Sequence, residues 1–422
     1  MFASPRLASA IALVLLHSVL LPLTACGPAK SMTEGDDASA SDSEGDPSSS
    51  SDSGSDTGTD SDTDATASSS DSGPGTDSDS DYDSDSDSDS GGPLELACDG
   101  AKWVRVHRPG EFYDLAVDSA GHVYGFGMLS HEGLSGDAIL ANLDPAGALV
   151  RNVLYATSSH DEALHGGVAA DDHVYSLTHE KSQPRLRRHD PEGALVWVVD
   201  LDAVTGITFD PRDLAVAPDG STAVGGLMEG GGTLVAKFDA GGQVLWIKEY
   251  ADFLEVQGMN DAGVIAAATA DGVTALGADG AVLWEAVHPL FNVGDVDVNA
   301  GGEVVLAGDN EEGTLSIARF DGAGALVHDT LFNVYDGFDK INDVAINDAG
   351  EIAASGYIQG PDPLTAFVAK VDREGEVVVT RLCEPSLDSR GYTVAIDEVG
   401  GLYLGGAVQI DYTYYSFAAA FE

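Results

Sequence analysis

Residues 212–226 read RDLAVAPDGSTAVGG, from Arg212 to Gly226. Small and β-branched residues alternate on both sides of Pro218-Asp219-Gly220, the pattern of two short strands joined by a tight turn. The chain returns to this phrase along its length. It recurs as YDLAVDSAGHVYGFG from Tyr113, GGVAADDHVYSL from Gly166 and VQGMNDAGVIAAA from Val256. It recurs again as GDVDVNAGGEVVLAG from Gly294, NDVAINDAGEIAASG from Asn342 and YTVAIDEVGGLYLGG from Tyr392. Self-similarity at a regular spacing marks a repeat architecture.

A second phrase follows most of these, as in RLRRHDPEGALVWV from Arg185 and LVAKFDAGGQVLWI from Leu234. It predicts a strand, an Asp-x-x-Gly hairpin turn and another strand. Trp197, Trp246 and Trp284 each stand four residues after the turn glycine, and Trp103 sits in the similar half-phrase CDGAKWVRV. Each unit therefore offers four strands. From Asp118 to Asp397 the mean period is 46.5 residues, so seven units fill residues 98–422. Four-stranded units of this length are β-propeller blades. The expected fold is all-β, a seven-bladed propeller. The last unit supplies three strands and ends in YSFAAAFE, so AKWVRVH from Ala101 is expected to complete its blade and close the ring.

Ahead of the repeats lie two segments of different character. Residues 1–25 combine Arg6 with an apolar stretch from Leu7 to Leu23, which reads as a secretion signal. It ends Leu23-Thr24-Ala25-Cys26, which resembles the lipobox of bacterial lipoproteins. That resemblance implies cleavage before Cys26, lipid on its sulfur and membrane anchoring. Gly27 follows instead of an Asp, which tilts the expected address toward the outer membrane or cell surface. Residues 26–97 are the lipidated Cys and a tether of mostly Ser, Asp, Gly and Thr, expected to be disordered and extended by charge repulsion. With its Ser/Asp-rich tether and repeats, the mature chain resembles the β-propeller repeat lipoproteins of soil and predatory bacteria. The resemblance implies a fold and an envelope location, and no particular reaction.

The formal net charge is −52, and residues 98–422 alone carry 51 acidic against 17 basic side chains. This excludes nucleic acid as a partner and electrostatic adhesion to anionic lipid. Cationic partners and divalent ions remain compatible with it. Cys98 and Cys383 remain after Cys26 and form a possible disulfide in an exported chain.

Four units carry Asp at one place, namely Asp114, Asp213, Asp295 and Asp343, with Gly167, Val256 and Thr393 read there in the others. A carboxylate ring could hold Ca²⁺, but one residue type at one repeat position points first to a repeated structural task, the capping of amides between blades. Asp295, Asp297 and Asn299 alternate along a strand instead of surrounding a tight loop. The run Asp85, Asp87, Asp89 lacks the Gly and Glu that an EF-hand loop needs at positions 6 and 12. His160, His165, His173, His179 and His189 crowd the second unit without metal-ligand spacing. The Trp-bearing repeats are also similar to quinoprotein propellers, which have eight blades and a quinone pocket; seven units and no such signature set this chain apart. No nucleophile elbow or phosphate-binding loop occurs.

The expected function is a membrane-anchored, monomeric module without catalytic residues or cofactor. Its inter-blade loops, such as those from Leu129, Tyr155, Tyr357 and Cys383, would present a surface to a protein or glycan. The alternative is an extracytoplasmic lyase or hydrolase acting on an exported polymer. It requires acids, His or Arg gathered at one mouth of the ring.

Overall fold

A computed structural model describes residues 96–422 apart from 131–135, 158–159, 182, 252–253, 289, 291, 311, 336–337, 360–362 and 384–386. The signal, Cys26, the Asp85–Asp89 run and the tether up to residue 95 lie outside the described residues, whereas Leu96, at the end of the expected tether, is buried in the seam between blades 6 and 7.

Each repeat folds as an antiparallel sheet in simple chain order. Blade 3 is typical, with strands Phe209–Val216, Thr222–Met228, Thr233–Phe238 and Val244–Tyr250. Blades 2 to 6 are separate four-stranded sheets. A seven-stranded sheet joins blade 7 to blade 1 through one long strand, Ala101–Val117. Its first part pairs with Thr413–Phe421 of the last unit and its second part with Val123–Ser130 of the first. The N-terminal strand thus supplies the outer strand of the closing blade, and the fold is a seven-bladed propeller. Gly110 stands where the strand passes between the blades, and a Cβ there would lie 2.1 Å from the Met128 carbonyl oxygen, so only glycine fits.

The hydrophobic core is divided among the seams. Seven clusters of buried residues each join two neighbouring blades, for example Ala215, Ala223 and Val235 of blade 3 with Val256, Ile265 and Ala267 of blade 4. A single blade exposes both faces, and the ring covers them. Small inner-strand residues let the blades converge on the axis.

The second phrase fastens the seams. Its Asp builds the turn, with Asp239 Oδ1 accepting from the Gly241 and Gln243 N–H groups at 2.9 and 2.8 Å. The Trp then crosses to the next blade. Trp246 Nε1 donates to the Ala278 carbonyl at 2.8 Å, and its ring lies against Gly280, where a Cβ would come within 3.0 Å. Trp103, Trp197 and Trp284 make the same bond to Pro145, Ala240 and Gly322. Trp246→Ala is expected to lower stability by about 2–3 kcal/mol, below the range for a fully buried aromatic because the ring is half-buried. Denaturant unfolding tests this, and a loss under about 0.5 kcal/mol would remove the clamp from the account.

A short helix, Leu201–Thr205, is the one helix among the described residues. No helix there is long and apolar enough to cross a membrane. The sulfurs of Cys98 and Cys383 are bonded across the seam between blades 6 and 7.

Candidate functional site

The inner strands surround a channel of about 840 Å³, lined from all seven blades. Counting four residues back from the start of each inner turn identifies one equivalent position per blade. It is occupied by Asp114, His165, Asp213, Val256, Asp295, Asp343 and Thr393. The second member is His165, not Gly167. The turn of blade 2 begins at Ala169, whose N–H bonds the His173 carbonyl, so its phrase slides by two residues when Asx residues are matched. Blade 4 departs in another way, since its β-bulge falls at Gln257, two residues nearer the turn than in blade 3.

The four Asp residues have a common structural task. Each accepts a backbone N–H from the next blade: Asp114 from Gly166 at 2.9 Å, Asp213 from Val256 at 3.2 Å, Asp295 from Val344 at 3.2 Å and Asp343 from Val394 at 2.6 Å. Thr393 closes the circle by accepting from the Leu115 N–H at 3.0 Å. Asp297 does the same one strand-step along, accepting from the Ile346 N–H at 2.9 Å and the Val298 N–H at 2.7 Å. The inner carboxylates tie blades together.

They also lie close enough to sense one another. His165 Nδ1 is 3.5 Å from Asp114 Oδ2. Burial opposes charge on this imidazole, but the hydrogen bond to Asp114 and the charges of Asp114, Asp213 and Asp343 outweigh it and raise its pKa. Burial pushes Asp213 and Asp297 up to about 7. Asp295 is raised well above the usual carboxylate range, first by burial and then by its hydrogen bond to the Asp343 carboxyl. Asp343 is raised by burial.

Toward the inner turns the channel opens on an acidic rim that includes Asp261, Asp348 and Glu398. Asn side chains run along it from blade to blade. The side-chain amide of Asn260 donates to the Asn299 carbonyl at 3.2 Å, that of Asn299 to Asn347 at 3.4 Å and that of Asn347 to Asp397 at 3.1 Å. The repeated Asx at the start of the inner turn was a readable signal for this ladder. Across the whole channel the lining holds ten acids and, among the described residues, no Lys, Arg or His.

At the far ends of the inner strands the character changes. The rings of Tyr113 and Tyr392 are 6.5 Å apart, and burial pushes the Tyr392 phenol up to about 12. Arg390 lies over Tyr414 at 5.4 Å and donates to its hydroxyl at 3.1 Å. Tyr412 is 96% exposed on the adjacent hairpin tip. Beside blades 2 and 3 a second cavity of about 570 Å³ is lined by His160, Glu162, His179 and Asp210 among others. His160 and His179 stand 3.7 and 3.9 Å from Glu162. The remaining histidines serve elsewhere: His173 faces Asp171 at 3.0 Å, and His189 is buried against Tyr155, its pKa lowered to about 4 by burial. No three His, Cys, Asp or Glu side chains converge in a metal-binding arrangement among the described residues.

The architecture defines the class: a seven-bladed β-propeller with an acidic channel. The chain matches no described protein family. No curated protein matches it either. Among solved structures it is similar to the WD40 domain of Pan2 from Neurospora crassa, at 13% identity over 74% of this chain and 89% of that one, with a TM-score of 0.48. It is similar to the WD40 domain of Toxoplasma gondii coronin, at 10% identity over 77% and 88%, with a TM-score of 0.47. A protein of unknown function from Bacteroides caccae is similar at 14% identity over 64% and 93%, with a TM-score of 0.41.

Proposed function

We propose that the chain is an envelope lipoprotein, anchored through Cys26, whose propeller is a non-enzymatic binding module for a protein or glycan. The carrying observation is Tyr412. It occupies a two-residue hairpin turn with Asp411, between the paired Ile410 and Thr413, and both turn residues have left-handed φ, 49° and 67°. Such turns prefer Asn-Gly. A bulky residue there costs about 1 kcal/mol or more. Strain retained on a fully exposed aromatic supports a role in contact. Tyr414, Arg390, Tyr392 and Tyr113 lie on the same side of the ring, and Tyr and Arg are the residue types that anchor interfaces.

The lipobox and the acidic spacer support display at the outer membrane or cell surface. The enzymatic reading rests on one observation, the raised pKa of the neighbouring Asp295 and Asp343 carboxyls. Their bonds to the next blade weigh against it.

The experiment is cross-linking capture from intact envelopes with the full chain, alongside Cys26→Ser and Tyr412→Gly. Near-stoichiometric recovery of one partner by the anchored parent, lost in Tyr412→Gly, is expected. Tyr412→Gly should itself unfold no earlier than the parent, because glycine relieves the left-handed turn. Equal recovery by Tyr412→Gly would remove this face from the proposal. No partner, followed by turnover of an exported polymer, would favour the enzyme.

A further inference from the structure

We propose that the cavity between blades 2 and 3 binds the end of an uncharged glycan, seated between Glu162 and Lys181. The inference goes beyond the Tyr412 surface and holds whether or not that surface meets a partner. The cavity has the volume of a small-molecule site, about 570 Å³. It lies where the inner strands of the two blades begin, on the side of the ring away from the acidic rim. The backbone there is built to hold polar groups. Asp161 is 0% exposed, and its Oδ1 accepts from the Lys181 N–H at 3.0 Å and from the Thr157 hydroxyl at 2.8 Å. Its Oδ2 accepts from the Thr157 N–H at 2.5 Å. One buried carboxylate therefore ties the loop that carries His160 to the hairpin that carries Lys181. Lys181 itself has a left-handed φ of 52°. Among the described residues only Lys181 and Tyr412 adopt this conformation without being Gly or Asp. Strain retained on a lysine points to a use for its ammonium. Lys181 lines the cavity, and its ammonium has no ion-pair partner among the described residues.

The groups around the cavity select the kind of ligand. Glu162 and His179 are direct cross-strand partners. The nearest ring nitrogens of His160 and His179 stand 3.7 and 3.9 Å from the two Glu162 oxygens. Both distances are too long for hydrogen bonds, so the carboxylate and the imidazoles remain available to a ligand. Asp210 is already held by Arg212, whose Nη2 and Nε donate to it at 3.0 and 3.1 Å. What remains is an acceptor in Glu162, a donor in Lys181 and two imidazoles able to serve either way. An anion would meet Glu162 and Glu229, and a cation would meet Lys181. An apolar ligand would leave all of these groups without partners. A sugar hydroxyl donates and accepts at once, which suits a mixed set. A pyranose also presents C–H groups on its face, and Leu227, Met228 and the buried Phe209 supply an apolar wall for them.

The test is nuclear magnetic resonance of the full mature chain titrated with cellobiose, maltose, lactose and N,N′-diacetylchitobiose at neutral pH. The readouts are saturation transfer to the sugar and the ring-proton shifts of His160 and His179. Expected is saturable binding of at least one disaccharide that moves both histidine signals. It should weaken about tenfold or more in Glu162→Gln and in Lys181→Gly. Lys181→Gly relieves the left-handed turn and should unfold no earlier than the parent, so its loss of binding is not a loss of fold. Thermal unfolding checks Glu162→Gln in the same way. No saturable binding of any of the four sugars would overturn the proposal. So would binding that leaves the two histidine signals, or both variants, unchanged. Tenfold tighter binding of glucosamine or glucuronate than of glucose would also overturn it, by marking an ionic site. Failure of partner capture through Tyr412 touches none of these readouts.

Discussion

Removal of the Cys98–Cys383 bond is expected to destabilise the propeller by about 5 kcal/mol and to lower its melting temperature by roughly 7 °C. The bond closes a loop of 285 residues, so the unfolded chain gains a large conformational freedom when it is cut. The native state loses a fastening where the regular one is missing. Counting from the turn glycine, blade 6 has Val379 where blades 2, 3 and 4 have Trp197, Trp246 and Trp284, so no indole clamps blade 6 to the closing blade. Arg381 packs on Gly100 and the Asp99 N–H donates to the Leu382 carbonyl at 2.9 Å, leaving the disulfide as the covalent tie at this seam. Thermal unfolding of the parent with and without reductant, and of Cys98→Ser with Cys383→Ser, measures the effect. An unchanged melting temperature would mean that the pairing of Ala101–Val106 with the last strand already closes the ring alone.

Much of this architecture was legible because its signals are local. Alternation within RDLAVAPDGSTAVGG specifies two strands, the Asp-x-x-Gly turn specifies the next pair, and the 46.5-residue period counts the blades. Trp103 in an otherwise spare N-terminal segment pointed to the shared blade, and the strand from Ala101 does pair with the last unit. The site was less legible because it is built from single residues some 45 positions apart. Matching Asx residues misplaced His165, since Ala169 holds the turn with backbone bonds alone. The seam clamps are also chemically mixed. Arg151 and His328 take the Trp position in blades 1 and 5 and pack on Gly193 and Gly375, a substitution of shape for which composition gives no rule. The acidity of the channel emerges only when the inner turns are placed around one axis, where Asp261, Asp348 and Glu398 meet.

Stability is expected to fall as pH rises from 5.5 to 8.5, against the common pattern of loss on acidification alone. Asp213 is 5% exposed, and burial holds its carboxyl at about 7, against about 3.9 in an unfolded chain. Between those values the folded state binds a proton that the unfolded state does not. Its contribution is therefore full below the unfolded pKa and disappears as pH rises through 7, amounting to about 4 kcal/mol at most. Asp295, Asp343 and Glu255 are also raised, chiefly by burial, and His165 is raised by its carboxylate neighbours, so all four act with the same sign. Glu351 acts oppositely, since its hydrogen bond to Lys370 lowers its pKa and is lost on acidification below the ordinary carboxylate range. The optimum thus falls in mildly acidic solution. Asp213→Asn keeps an acceptor for the Val256 N–H and removes the buried charge. It should raise the melting temperature at pH 8.5, leave it nearly unchanged at pH 5.5, and flatten the slope between them. A parent whose melting temperature is flat or rising over that interval would show that the inner carboxyls are ionised without penalty, and that the channel is wetter than its lining implies.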